Sequence, residues 1–233
     1  GNALAPRWIP GTRQIVYPRN VDGASRLFVG DSTGVSRRLV AQPGAIAWEA
    51  DPEVSPDGVW VYFVARDSAD ALYRIPVAGG TPEELLRATG GGGLRSPSLS
   101  PDGNALVYVS SSFAGDMFRA CILDLTTGTT TRLTPNEAAG PRWSPTNEWI
   151  VYAVSGPWGG YSGHIRLVHP DGSDDHDLID GAYFPGGSWS PDGKYVILIR
   201  AEIGTGWELL DVGQGTRLPL SYRHAWYGPA WRP

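Results

Sequence analysis

The sequence has 233 residues, a formal net charge of -5, 31 glycines and 20 prolines. Ten tryptophans and ten tyrosines accompany these turn-forming residues, which favours short strands over packed helices. The negative charge has no basic cluster to offset it, which argues against a nucleic-acid partner. No apolar run is long enough for a membrane-spanning helix, so we expect no membrane span.

Cys121 is the single cysteine, which excludes an internal disulfide and a zinc site made of several cysteines. We expect it to pack as a strand thiol within the apolar stretch 120–123. Residues 1–4 have neither the basic region nor the apolar stretch of a signal peptide, so we expect a mature or trimmed form.

A short motif recurs six times along the chain, in most copies as proline, any residue, an apolar residue, any residue and proline. Its closing prolines are Pro10, Pro56, Pro101, Pro145, Pro191 and Pro233, at spacings of 46, 45, 44, 46 and 42 residues. This period is typical of a four-stranded propeller blade.

Each of the first five motifs begins a unit of four predicted strands. The predicted first strands are 6–10, 52–56, 97–101, 141–145 and 187–191, with a sixth at 229–233. An Asp-Gly or related turn leads to second strands at 14–17, 60–63, 105–108, 149–152 and 195–198. Third strands follow at 26–29, 72–75, 117–120, 165–168 and 207–210, and fourth strands at 37–40, 83–86, 131–134, 176–179 and 217–220.

The repeat therefore predicts an all-β fold, a β-propeller of four-stranded antiparallel blades in a single domain over residues 1–233. Five units are complete, and ring closure would remove exposed strand edges. We favour five blades, with the strand at 229–233 completing the N-terminal blade. A six-bladed propeller is the alternative.

The segment Trp189-Ser190-Pro191-Asp192-Gly193-Lys194 resembles the WD-like repeat of the TolB propeller family. Related repeats form the propeller domains of prolyl-oligopeptidase-type peptidases. The resemblance implies a non-catalytic module that mediates protein–protein interaction in the bacterial cell envelope, periplasmic or exported. The alternatives are a gating domain of such a peptidase and a carbohydrate-binding propeller, because a fold alone does not define a function.

Motifs of catalysis are absent from the sequence: there is no Gly-x-Ser-x-Gly, no His-Glu-x-x-His and no phosphate-binding loop. We expect no catalytic residue, no cofactor and no metal site.

The histidines do not repeat with the blades, so we expect exposed strand or turn residues. Asp171–Asp175 resembles part of a calcium loop, although a hairpin turn is favoured. Asp57, Asp102 and Asp192 are expected to bond their own turns.

Aromatic residues are concentrated in the loops that enter the first strands and in those that join second to third strands. If the protein has a binding face, we expect it there, because exposed aromatics favour partner binding. The candidates are Trp48, Phe113, Trp158, Tyr161, Tyr183, Phe184, Trp226 and Tyr227. Local packing of several of them is the alternative.

The second residue of each motif copy should line a central channel, and its identity should vary with the function of the protein. These residues are Arg7, Glu53, Ser98, Arg142, Ser188 and Ala230. Arg7 and Arg142 predict a mildly cationic mouth for an anionic group, with an ion pair inside the chain as the alternative.

Overall fold

The structure is a computed structural model that describes residues 6–40, 48–111, 117–135, 137–154, 164–181, 183–200 and 206–220, with only the backbone of 184–186. The described residues form five four-stranded sheets in chain order, which we number as blades 1 to 5. All strand pairs whose register is resolved are antiparallel.

The strands of each blade follow one another in sequence and in space. Blade 1 consists of β1 (Arg7–Trp8), β2 (Gln14–Val21), β3 (Ala24–Asp31) and β4 (Ser36–Arg38). Blade 2 consists of β5 (Trp48–Val54), β6 (Trp60–Arg66), β7 (Asp70–Pro76) and β8 (Glu83–Arg87). Blade 3 consists of β9 (Leu94–Leu99), β10 (Ala105–Ser110), β11 (Arg119–Asp124) and β12 (Thr130–Arg132). Blade 4 consists of β13 (Ala139–Trp143), β14 (Ile150–Ala153), β15 (Ile165–Val168) and β16 (His176–Ile179). Blade 5 consists of β17 (Tyr183–Trp189), β18 (Tyr195–Arg200), β19 (Trp207–Asp211) and β20 (Thr216–Leu220).

The predicted fold class is confirmed: the protein is an all-β, five-bladed β-propeller of four-stranded antiparallel sheets. The predicted sixth first strand, 229–233, lies outside the described residues. Contacts divide the chain into two compact units. The first comprises residues 1–99 and 110–116, and the second comprises 100–109 and 117–233.

The third strand of blade 3 starts later than the sequence predicts, at Arg119 and not at Met117. The carbonyl of Phe118 accepts a hydrogen bond from the Ala138 amide at 2.9 Å, outside the ladder of this blade. Met117 is 48% exposed, so no core holds it in the strand. Because both residues are apolar, the sequence predicted a strand there and indicated neither the bond of Phe118 outside the ladder nor the exposure of Met117.

Strand β14 shows why both faces of a blade are apolar. Ile150 and Tyr152 pack into a core with residues of blade 3, whereas Val151 and Ala153 pack into a core with residues of blade 5. Successive side chains of a strand point to opposite faces, so a blade between two neighbours can bury both faces of a middle strand, as it does in β14. The continuous apolar runs of the second strands follow from this two-sided burial.

A tryptophan of the first strand contributes to each core of the second unit. Trp143 and Trp189 are 9% and 8% exposed. The Trp189 indole also donates a hydrogen bond from Nε1 to the Arg142 carbonyl of blade 4 at 3.0 Å. Each ring therefore packs its own first strand against the blade that precedes it in sequence. Trp8 has the same place in the motif but is 50% exposed.

The turn between first and second strands uses the motif serine and aspartate as predicted. Ser190 Oγ donates to Asp192 Oδ1 at 2.6 Å and accepts from the Tyr195 amide at 2.9 Å. Asp192 Oδ1 also accepts from the Lys194 amide at 3.2 Å. The hydrogen bond from Ser190 lowers the pKa of the Asp192 carboxyl. Asp57 and Asp102 make the equivalent bonds, which confirms their structural role.

The part of the chain that the structure describes contains no helix long and apolar enough to cross a membrane.

The repeat tryptophans provide a test of the cores between blades. We expect Trp143→Ala or Trp189→Ala to lower the free energy of unfolding by about 3–5 kcal/mol, because each leaves a cavity in a packed core. Trp8→Ala is the matched control and should cost clearly less, since half of Trp8 is exposed. Urea unfolding followed by circular dichroism measures all three. An equal loss in the three variants would contradict the assignment of Trp143 and Trp189 to the cores.

Candidate functional site

The two ends of a blade differ in the strand connections that they carry, as blade 2 shows. In blade 2, Trp48 is opposite Arg66 and Arg66 is opposite Asp70, so the starts of β5 and β7 lie at the same end of the sheet. We call this the loop end, because the chain enters the first strand and passes from the second strand to the third there. The opposite end carries the turn at 56–59, and we call it the turn end.

The loop-end aromatics Trp48 and Tyr183 lie in strands, not in the loops that the sequence suggests. Tyr183 is only 1% exposed and packs into the core between blades 4 and 5. Its hydroxyl donates to Glu208 Oε2 at 2.7 Å and accepts from Arg217 Nη1 at 3.1 Å. The ring of Tyr183 therefore packs locally, which is the alternative to a place on the binding face, and it presents almost no surface to a partner. Trp48 is partly exposed.

Other aromatic candidates fall outside what the structure describes. Phe184 lies in β17 opposite Ile199, but its side chain is not described. Phe113, Trp158, Tyr161, Trp226 and Tyr227 lie outside the described residues. Their assignment to a binding face stays a prediction.

Arg7 forms an ion pair with Glu53. This is the alternative to a cationic channel mouth that the sequence left open. Its Nη2 and Nε atoms lie 2.7 and 3.0 Å from Glu53 Oε1. Burial alone would lower the pKa of Arg7, but the charge and hydrogen bond of Glu53 outweigh it and leave this pKa raised. Both side chains are mostly buried. The charge of Arg7 is therefore largely balanced within the first unit.

Arg142 lies on β13 in the second unit, at the same motif position as Arg7. Its backbone carbonyl receives the Trp189 indole, and its Nη1 donates to the Pro141 carbonyl at 3.0 Å. The backbone of this residue therefore has a packing role, and the side chain is partly buried.

Asp51 is a polar residue of the first unit that sequence reasoning did not single out. It has a positive φ of 50° and lies at a β-bulge, where the register of β5 shifts between Ala50 and Glu53. Its Oδ2 accepts a hydrogen bond from the Ser96 amide at 3.1 Å. Ser96 and Gly140 hold the equivalent motif position, five residues before the closing proline, with φ of 52° and 55°. The recurrence of Asp, Ser and Gly there was a usable signal, since these residues tolerate positive φ.

Glu49 is fully buried at the loop end of blade 2. Its Oε2 accepts from the Leu27 amide of blade 1 at 2.8 Å, and Arg38 Nη2 lies 3.4 Å from Oε1. Burial raises the pKa of Glu49, against the lowering effects of the Leu27 amide and the Arg38 charge. This carboxylate therefore joins blades 1 and 2 at some electrostatic cost.

Asp70 and Glu208 are buried carboxylates at the loop ends of blades 2 and 5 that the sequence did not reveal. Asp70 Oδ1 is 2.5 Å from Arg66 Nε, and Oδ2 accepts from the Leu94 amide at 3.3 Å. Glu208 binds Arg200 as well as the Tyr183 hydroxyl. The sequence does not indicate whether an acidic residue near the start of an apolar strand is buried.

The stretch that resembled a calcium loop forms a turn in blade 4. Asp171 Oδ1 accepts from the amide and hydroxyl of Ser173 at 2.9 and 2.6 Å. Asp175 Oδ1 binds Tyr152 and Arg166 at 2.6 and 2.9 Å. The two carboxylates thus bind different groups of the protein and do not point to one common ion, which supports the predicted hairpin turn.

Glu49 gives a test of pH dependence. Because its folded-state pKa is raised, the folded protein holds this proton more tightly than the unfolded chain, and its contribution to stability falls as pH rises above about 4.3. We expect Glu49→Gln to gain stability relative to wild type between about pH 4 and pH 7. Thermal unfolding across this range measures the difference.

Glu83→Gln is the matched control, because Glu83 forms an exposed ion pair with Arg74. A difference between Glu49→Gln and wild type that does not change with pH, or that changes in the opposite direction, would contradict the raised pKa.

Comparisons with known proteins agree with the blade architecture. The uncharacterised protein Atu1656 of Agrobacterium fabrum is 30% identical over 213 residues, which cover 84% of this chain and 64% of that protein. The chain thus spans less than two thirds of the length of this relative. A TolB-type structure from Agrobacterium tumefaciens has a TM-score of 0.74 at 24% identity, over 92% of this chain and 79% of that one.

TolB from Acinetobacter baumannii has a TM-score of 0.72 at 22% identity, over 91% of this chain and 54% of that one. The same fold occurs in an oligogalacturonate lyase of Vibrio parahaemolyticus (TM-score 0.66, 13% identity, 89% and 61% coverage). It also occurs in a puromycin-hydrolysing peptidase of Mycobacterium tuberculosis (TM-score 0.70, 19% identity, 96% and 39% coverage). The family model for the TolB β-propeller domain, PD40, matches residues 1–191. With five sheets of the predicted repeat and this match over most of its length, the chain belongs to the TolB β-propeller family.

Proposed function

We propose that this chain is a non-catalytic binding and scaffolding module that mediates protein–protein interaction in the bacterial cell envelope, in the periplasm or after export. Membership of the TolB propeller family supports the proposal, and so does the way in which the loop ends use their ionisable groups.

The carboxylates buried at the loop ends carry the proposal. Glu49, Asp70 and Glu208 each bind an arginine together with a backbone amide or a phenol hydroxyl. A general acid or base needs a position within reach of its substrate. These groups are instead committed to joining strands and blades, as a rigid scaffold requires.

We place the partner surface on the predicted loop-end aromatics, above all Trp158 and Tyr161. Aromatic and arginine side chains contribute strongly to protein interfaces.

Two alternatives follow from other proteins of this fold. One solved neighbour is a peptidase that hydrolyses puromycin, which is compatible with a gating role for this chain. Another neighbour is an oligogalacturonate lyase, which is compatible with carbohydrate binding. Both likenesses are below 25% identity, so they concern the fold.

A double variant tests the binding face. We expect Trp158→Ala with Tyr161→Ala to leave the melting temperature nearly unchanged and to weaken partner binding, because loop aromatics that bind need not pack. Affinity capture from an envelope fraction would identify the partner, and calorimetry with the purified partner would then measure the dissociation constant. Trp60→Ala is the matched control, since Trp60 begins β6 at the turn end.

A large fall in melting temperature would identify Trp158 and Tyr161 as packing residues and would overturn their assignment to the site. Binding to a glycan array without a protein partner would favour the carbohydrate alternative. Continuation of the gene beyond residue 233 into a Gly-x-Ser-x-Gly segment would favour the gating domain.

A further inference from the structure

Three metal-ligating side chains lie together at the loop end of blade 4. His164 immediately precedes β15, Asp180 immediately follows β16, and Asp177 lies within β16. One ligand atom from each lies within 4.8 Å of the other two. His164 Nδ1 is 2.5 Å from Asp180 Oδ1.

A β-bulge explains why these residues meet. Ile165 pairs with Ile179, but Arg166 pairs with Asp177, so Leu178 is an extra residue in β16. In a regular strand, residues three apart point to opposite faces. The extra residue reverses this alternation and directs Asp177 to the face that carries Asp180. His164 lies opposite Asp180, one position beyond the Ile165–Ile179 pair, and therefore shares that face.

The charges around the cluster leave room for a cation. Asp177 Oδ1 forms an ion pair with Arg166 Nη1, and Arg166 also binds Asp175. A carboxylate has two oxygens, so the pair with Arg166 uses only one of the two in Asp177. Arg217 is close enough to Asp180 for their charges to interact. Three aspartates against two arginines give the surroundings a net negative charge.

We propose that His164, Asp177 and Asp180 bind a divalent transition-metal ion of the zinc type, with water completing the coordination. One imidazole and two carboxylates suit such an ion. Calcium prefers oxygen ligands, whereas one of the three ligands here is an imidazole nitrogen. In a tetrahedral zinc site neighbouring ligand atoms are about 3.4 Å apart, so small side-chain rotations suffice. The side chains of His164, Asp177 and Asp180 are 54%, 49% and 81% exposed, which leaves them free to rotate.

The metal would connect the start of β15 to the end of β16. These are the points at which the ladder of blade 4 ends and the strands would otherwise separate. An ion that binds only the folded chain stabilises it by mass action. The site is independent of the proposed interaction with a partner protein, so its test needs no partner.

Titration of the metal-free chain with zinc chloride in a calorimeter tests the proposal, with melting temperature as a second readout. We expect one saturable site and a zinc-dependent rise in melting temperature. Loss of even an outer-shell partner weakens metal sites by about 10–100-fold, so His164→Ala should weaken zinc binding at least as much. Asp180→Asn is a second variant, and its exposed position makes misfolding less of a concern.

His176→Ala is the matched control: this histidine lies in the same strand, and its Nδ1 is hydrogen-bonded to the Asp174 carbonyl. Its zinc affinity should equal that of wild type. An equal loss in His176→Ala and His164→Ala would reveal unspecific binding to surface histidines and overturn the proposal. Absence of saturable zinc binding by wild type would overturn it as well.

Discussion

The structure depends on the burial of both faces of a blade by its neighbours. In β14, alternate side chains enter two different cores, and no residue of this strand remains for the solvent. Because both faces are buried, the middle strands have continuous apolar sequences. Their residues are fixed by packing, so they leave little room for functional differences between blades. Variation is then confined to strand ends, first strands and outer edges. Functional groups should be sought there.

The first strands satisfy the burial requirement differently from the middle strands. In the first unit, the first strands β5 and β9 lie close together while their polar backbone groups stay bonded. The bulge near Asp51 serves this purpose, because it turns a carboxylate toward the Ser96 amide of the following blade. A positive φ for an aspartate is uncommon and is maintained only where the surroundings hold it. Gly140, at the same position, needs no such support. The fold therefore demands the backbone conformation and leaves the side chain open to change.

Much of the architecture could be predicted from the repeat, and the errors have physical causes. The turn residues and the apolar core identified the strands, because serine, aspartate and glycine at fixed positions act locally. Tyr183 was misplaced because β17 extends across a bulge beyond the motif, which no short-range pattern indicates. Glu49, Asp70 and Glu208 were missed because burial of a carboxylate depends on partners distant in sequence, such as the amides of Leu27 and Leu94. The pairing of Arg7 with Glu53 could be raised as an alternative but not decided, since it depends on how two first strands face each other.

Bulges link these observations, because each one breaks the alternation that two-sided burial imposes. A regular strand offers its polar and apolar faces in strict succession, so three ligands on neighbouring strand ends would not converge by default. The extra residue at Leu178 changes the face of Asp177 and places it with His164 and Asp180. The bulge at Asp51 likewise redirects a side chain, there toward a backbone amide. In both cases the bulged strand carries one residue more than its partner, and the side chains beside it change face. The fourth strand of blade 2 has the same register shift, between the Leu72–Leu86 and Tyr73–Glu84 pairs, so the bulge belongs to the repeat. The residues at the bulged strand ends therefore make one blade different from another, while the cores stay unchanged.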